Sequence, residues 1–437
     1  MRTTLYVSLG LIVVVPLFLP DSASAQVLDT YFPPMGSGFG DIMTEPAQVR
    51  ALEEYAPLGL RYGPLRIDAD AAESIGYDSD IARLANGTGG VMETTHARLA
   101  GAAVWQRDQV HAEISVDDYR FPSQSIQNRT NWTVGLGAVH DFGHDRLGMA
   151  YTHLSLVQTP MDLGALILSR PIPYQYDDVR LSYTATTHGR FSFIPEAGIN
   201  RYNFDRVVLV PGQLDQTYRN RATITEGVTG RYDLAGTTQI LVILQGTEIR
   251  YLDRTPGVPS RDSNGVSAMA GMDFGLSGPL RFRALVGYQT RVYRSSLYQR
   301  ITSPIAEAEL GWNPTRLTTM TLSVRHGIED GAFENVVGFS YTSAQIGVRH
   351  NYGRNLVLNA QAGIEKADYS AASGVLRNTI LDQIASNQTV YNIGAGAQWL
   401  LNRHLSVTLN YNFSSQKTVG YRTFSDHTVL LSAHLAL

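Results

Sequence analysis

Cysteine is absent from the 437 residues. A secreted chain without it has no disulfide framework, so the fold must be closed by non-covalent means. Lysine is nearly absent as well, occurring at Lys366 and Lys417, and the other basic residues are arginines. Acids and bases are scattered, with a formal net charge of -4 and no like-charge block. That distribution excludes the electrostatic footprint of a nucleic-acid partner. Also missing, past the first 25 residues, is any apolar run of the ~20 residues that a spanning helix needs. Mean hydropathy is -0.11. That value does not separate a soluble protein from a membrane barrel, whose strands hide their apolar face by alternation.

What is present begins with an N-terminal address. Arg2 supplies a positive charge, Leu5 to Leu19 form an apolar run broken by Pro16, and Ala23-Ser24-Ala25 offers small residues to a signal peptidase. Residues 1–25 are therefore expected to be a signal peptide, too short in its apolar part to anchor a membrane. Residues 26–59 are irregular, punctuated by Pro33-Pro34, Gly36-Ser37-Gly38 and Pro46. They are expected to form a periplasmic extension, either a strap or partial plug or a disordered segment, rather than a packed domain.

From Leu60 to Leu437 the chain alternates between stretches of two-residue hydrophobic periodicity and connectors of two kinds. Tight connectors fall at Arg107-Asp108, Gly143-His144-Asp145, His188-Gly189-Arg190, Ala235-Gly236, Ser277-Gly278-Pro279, Asn313-Pro314-Thr315-Arg316, Tyr352-Gly353-Arg354 and Asn402-Arg403-His404. Gly, Asn, Asp and Pro suit hairpin turns because the turn needs a positive or a preset φ. Longer polar loops lie between them, including Thr159–Gln175 and Ser370–Asn387. The short–long rhythm predicts about eighteen strands (16–18) in an all-β, transmembrane, antiparallel up-and-down barrel over residues 60–437. An even count places both termini on one side, the periplasmic one, of the bacterial outer membrane.

Individual stretches carry the pattern unequally. Leu405, Val407, Leu409, Tyr411 and Phe413 alternate with Ser406, Thr408, Asn410 and Asn412. Thr237–Leu252 is apolar on both faces, and Glu226 interrupts the lipid face of Thr217–Asp233. Trp105, Trp312 and Trp399 stand just before tight turns, where a membrane–water boundary suits their half-polar rings. Tyr119, Tyr176, Tyr202, Tyr218, Tyr251, Tyr293, Tyr341, Tyr369 and Tyr391 stand beside long loops, and a second girdle is expected there. Val429, Leu431, Ala433, Leu435 and Leu437 alternate to the last residue, resembling the final strand read by barrel-insertion machinery.

Inside such a barrel, Glu307 and Glu309 are expected to face the lumen. Arg281, Arg283 and Arg291 are expected to join them from a strand two connections earlier. Facing acids and arginines can set a transverse field and tune selectivity; the plainer reading is mutual neutralisation. His140 and His144 have a metal-like spacing only on a helix, and Gly143 turns the chain between them. No Gly-x-Ser-x-Gly, His-Glu-x-x-His or phosphate loop is present, so neither a catalytic residue nor a cofactor or metal site is assigned.

Three segments resemble the type 2 β-barrel porin family of bacterial outer membranes. Glu54-Tyr55-Ala56-Pro57-Leu58-Gly59-Leu60-Arg61-Tyr62-Gly63 resembles the approach to that family's first strand. Gly76-Tyr77-Asp78-Ser79-Asp80-Ile81 resembles the motif closing that strand. Gly311-Trp312-Asn313-Pro314-Thr315-Arg316-Leu317-Thr318-Thr319 resembles the family's Trp–x–Pro–Thr turn. Pro64-Leu65-Arg66 and Ser79 depart from the pattern. The resemblance implies an outer-membrane barrel in contact with the lipid bilayer. It leaves a porin-like channel for small solutes as the first reading. A component of surface or exopolysaccharide export or attachment, with an occluded lumen, is the second, and an outer-membrane enzyme the third. Oligomeric state is not legible.

Overall fold

A computed structural model describes residues 54–437 apart from 85–86, 166–167, 169, 188, 210–211, 236, 276–278, 332–335, 372–386 and 419–422. The expected signal peptide and most of the expected extension, residues 26–53, lie outside the described residues.

Eighteen long strands make a closed antiparallel barrel. They are β1 Leu65–Asp78, β2 Gly90–Val104, β3 Asp108–Arg120, β4 Arg129–Asp141, β5 Arg146–Gln158, β6 Ile172–Thr186, β7 Phe191–Phe204, β8 Arg221–Ala235 and β9 Thr238–Tyr251. The second half comprises β10 Ser263–Phe274, β11 Leu280–Tyr293, β12 Ile301–Thr315, β13 Thr318–Glu329, β14 Val336–Tyr352, β15 Leu356–Ala371, β16 Gln388–Leu400, β17 Leu405–Thr418 and β18 Phe424–Ala436. Each strand pairs with its neighbours in sequence, and β1 closes on β18 with Asp70 opposite Ala436 and Asp78 opposite Thr428. Closure is what hydrocarbon demands, since an unpaired N–H or C=O there costs several kcal/mol and a barrel leaves none.

Burial in this fold is inverted. The outward side chain Leu409 is 52% exposed, whereas inward Ser406 is 9% exposed. On β11, Leu280, Val286, Tyr288 and Val292 are exposed outward, while Arg283 and Arg291 between them are buried. Exposed apolar residues on the outer wall are the lipid contact, and polar ones line the interior. The two doubtful stretches are both strands. Thr238–Tyr251 turns Leu241 and Ile243 inward with Leu285, and Glu226 does face outward on β8.

Two details differ from expectation. Leu60–Tyr62 is a separate three-residue strand, doubling back so that Leu60 pairs with Ile67 and Tyr62 with Leu65. Gly59 and Gly63, with φ of 67° and 59°, permit that reversal. Asn313 and Pro314 belong to β12 rather than to the turn, which falls at Arg316-Leu317. Pro314 cannot donate to the ladder, and the register shift between Trp312 and Thr315 absorbs it as a bulge.

Candidate functional site

The inner wall and its loop-side mouth are where a barrel of this kind meets a solute. All five charges expected in the lumen have the inward parity. Arg281, Arg283 and Arg291 lie on β11, and Glu307 and Glu309 on β12. These strands are direct partners, one connection apart and not two, so the charges stand side by side on one wall. Arg283 is opposite Glu309, and Glu307 is opposite Arg325 of β13. Arg281 and Arg283 each place a guanidinium nitrogen 3.9 Å from Asp273 Oδ2 on β10. Lateral pairing of this kind neutralises charge within the wall. Asp273 was missed in the sequence although its inward parity beside a tight turn could have shown it.

Arg291 stands apart, at the loop rim. Its Nη1 donates to Asp330 Oδ1 at 2.6 Å, in the connection after β13. Arg221 Nε on β8 lies 3.7 Å from Asp330 Oδ2, and Arg261 Nη1 donates to the Gly331 carbonyl at 3.0 Å. Arg221 lies 4.0 Å over the Tyr202 ring and Arg261 4.3 Å over Tyr251. Burial alone would raise the Asp330 carboxyl, but Arg291, Arg221 and Arg261 together hold it below the usual carboxylate range. No periodicity reaches a loop residue, so Asp330 had no signal in the sequence.

The connection after β5 folds into the barrel. Met161 packs with Val390 of β16 and Phe424 of β18, with Leu163 against them. The Gly164 N–H donates to Gln388 Oε1 at 3.3 Å. Gly164 has φ +77°, and a Cβ there would lie 2.8 Å from the Phe339 ring of β14. In an eighteen-strand ring β14 is diametrically opposite β5, so this segment crosses the lumen. Burial pushes the Asp162 carboxyl up to about 6, against the Thr159 N–H and the cations Arg83 and Arg129, with Glu365 adding to the rise.

The motif at residues 76–81 locks the seam. Ser79 N–H donates to the His427 carbonyl at 3.0 Å, and the Asp80 N–H bonds both Asp78 Oδ1 at 2.8 Å and Asp426 Oδ1 at 3.2 Å. Arg83, at a φ of 53°, reaches Asp426 Oδ2 at 3.7 Å. Ile81 packs against the inner face of the wall among Met92, Tyr119, Phe121 and Leu430.

Trp105, Trp312 and Trp399 project outward beside tight turns, each about half exposed. The loop-rim tyrosines do not mirror them. Tyr119, Tyr176, Tyr251 and Tyr293 are buried, and with Tyr202, Tyr341 and Tyr369 they share the inward parity. The expected second girdle is instead an inner ring, because these rings back the lumen arginines. His140 faces outward and bonds Asp108 Oδ1 at 2.6 Å. Among the described residues, no group of three or more His, Cys, Asp or Glu is arranged to hold a metal ion.

Residues 53–437 match the family described as Putative beta-barrel porin 2. No curated protein matches the chain. Among solved structures, the chain is similar to the outer membrane protein OpdK of Pseudomonas aeruginosa, at 13% identity and a TM-score of 0.42, over 85% of this chain and 99% of that one. It is similar to OccAB3 of Acinetobacter baumannii at 10% identity and 0.43, over 85% and 99%. The FrpB iron transporter of Neisseria meningitidis gives 9% and 0.41, over 90% and 83%. The fold rests on the strand register itself.

Proposed function

Because this chain belongs to the beta-barrel porin 2 family and is an outer-membrane barrel, we propose that it is a channel for passive passage of small solutes. The strand count supports a wide cylinder, since lumen diameter grows roughly linearly with strand number. The observation that carries the reading is the segment from Thr159 to Ala165, which crosses the interior and makes the throat narrower than the cylinder. In the same reading the tight turns and both ends of the barrel face the periplasm, residues 1–25 are a signal peptide that is removed, and residues 26–59 are a periplasmic extension. The Arg403 Nε hydrogen bond to the Glu54 carbonyl, 2.9 Å, ties residue 54 to a tight turn. Arg281, Arg283, Glu307 and Glu309 line one wall of the passage as laterally paired charges, and Trp105, Trp312 and Trp399 hold the turn-side interface. Refolded protein in a planar membrane is expected to give steady ohmic current; electrical silence contradicts the channel.

One observation favours a second reading. Leu241, Ile243 and Leu285 point inward yet are at most 2% exposed, an apolar and dry patch that a water-filled lumen would not call for. An occluded barrel serving surface-polysaccharide export or attachment would tolerate it. The same recording separates the two, because the occluded barrel is silent.

A further inference from the structure

At the loop rim, three arginines from three separate segments of the chain converge on one carboxylate that comes from a fourth. Arg221 begins β8, Arg261 precedes β10, Arg291 is near the end of β11, and Asp330 follows β13. Two of the guanidinium groups are stacked on tyrosine rings, which fixes their planes and removes rotamer freedom before any anion arrives. Arg291 and Arg221 approach different oxygens of Asp330, at 2.6 and 3.7 Å, the two-sided grip that suits a planar carboxylate. The third, Arg261, bonds the neighbouring Gly331 carbonyl at 3.0 Å, and the three guanidinium groups outnumber the two acids beside them, Asp330 and the adjacent Glu329.

We propose that this arc is a binding site for small carboxylate solutes and that Asp330 is a built-in counter-anion occupying it. The assignment rests on the channel reading, since solutes reach the arc through the mouth. An entering carboxylate competes with the Asp330 side chain for Arg291 and Arg221, so that the resident acid keeps binding weak enough for release. A conducting site needs that balance between capture and escape. The chemistry is that of a carboxylate because the site already holds one; a tetrahedral phosphate is the alternative source of negative charge, and the test separates them.

The test titrates succinate, and in parallel inorganic phosphate, into full-length refolded protein in detergent, beside planar-membrane recordings. Asp330→Asn empties the arc of its own charge, and succinate is expected to bind about tenfold more tightly than to the wild type. Adding Arg291→Gln to D330N is expected to abolish that gain. An unchanged or weaker succinate affinity in D330N overturns the proposal, and an equal gain for phosphate overturns the carboxylate assignment. Should D330N fail to refold, Arg221→Gln in the Asp330 background is expected to weaken succinate binding about tenfold, and unchanged binding is then the contrary result. Titration of the protein in detergent reads the site whether or not the barrel conducts. Tight succinate binding by D330N without any current therefore sinks the channel and leaves the site standing.

Discussion

A side chain in this barrel is judged by parity before it is judged by polarity. Leu409 and Asn410 are neighbours on β17, one turned to lipid and the other to the lumen. Leu409→Arg should cost on the order of 2–4 kcal/mol if it sits at the bilayer midplane, whereas Asn410→Arg should be tolerated. Unfolding in lipid with denaturant checks this, and equal stability of the two variants contradicts it. Ser406 has the same inward parity as Asn410 but is a poorer control, because its Oγ accepts from Gln398 Nε2 at 3.2 Å and it has little room. Asp162 gives a second test at this scale. Its carboxyl ionises near 6 when the segment is seated and near 3.8 in its ordinary state, so seating is favoured with the proton on. That contribution is fully present below about pH 4 and is lost as pH rises through about 6. Conductance should therefore rise between pH 4 and 7 in the wild type, and Asp162→Asn should remove most of the change.

At the level of elements, the strands were legible and their ends were less so. Clean alternation of the Leu405–Phe413 kind needs no partner to be read, since the period belongs to the pleat. Thr238–Tyr251 gave a weak signal because its inner face is apolar too, packed as Leu241, Ile243 and Leu285. Pro314 pointed to a turn because proline favours turns, but a bulge satisfies the same missing N–H. The lateral pairing of β11 with β12 follows from the single loop between them, which makes them direct partners rather than strands two connections apart. The seam lock was readable as a motif and unreadable as a function, because Asp426 is more than three hundred residues from Asp78 in the chain. Gly76 tests that seam. A Cβ there would run into the Val429 carbonyl of β18, so Gly76→Val is expected to cost about 1–3 kcal/mol or prevent closure. The measurement is the fraction of protein that keeps the compact mobility of unheated barrel on a gel, and an unchanged fraction refutes the close approach.

Over the whole molecule, one requirement and its consequence explain most of what is seen. Hydrocarbon forbids an open edge, and the chain meets this by closing β1 on β18. The wide interior that results is then narrowed from the loop rim by the segments bearing Ile81, Met161 and Asp330. Narrowing of this kind leaves little trace in a sequence, because inward loops need polar residues just as outward loops do. Sorting of tyrosines toward strand ends was a real signal with two possible destinations, and the lumen took most of them.

The chain has no cysteine, so one introduced thiol reports its own surroundings. Gln361 and Ala362 are adjacent on β15, with Gln361 opposite Gly394 on the inner face and Ala362 opposite outward Ile393. The most direct measurement is planar-membrane current through Gln361→Cys and Ala362→Cys while a charged, water-soluble thiol reagent is added. Current through Q361C should drop in discrete steps and current through A362C should stay constant. Absence of current in both, or equal block of both, would contradict a water-filled passage through this barrel.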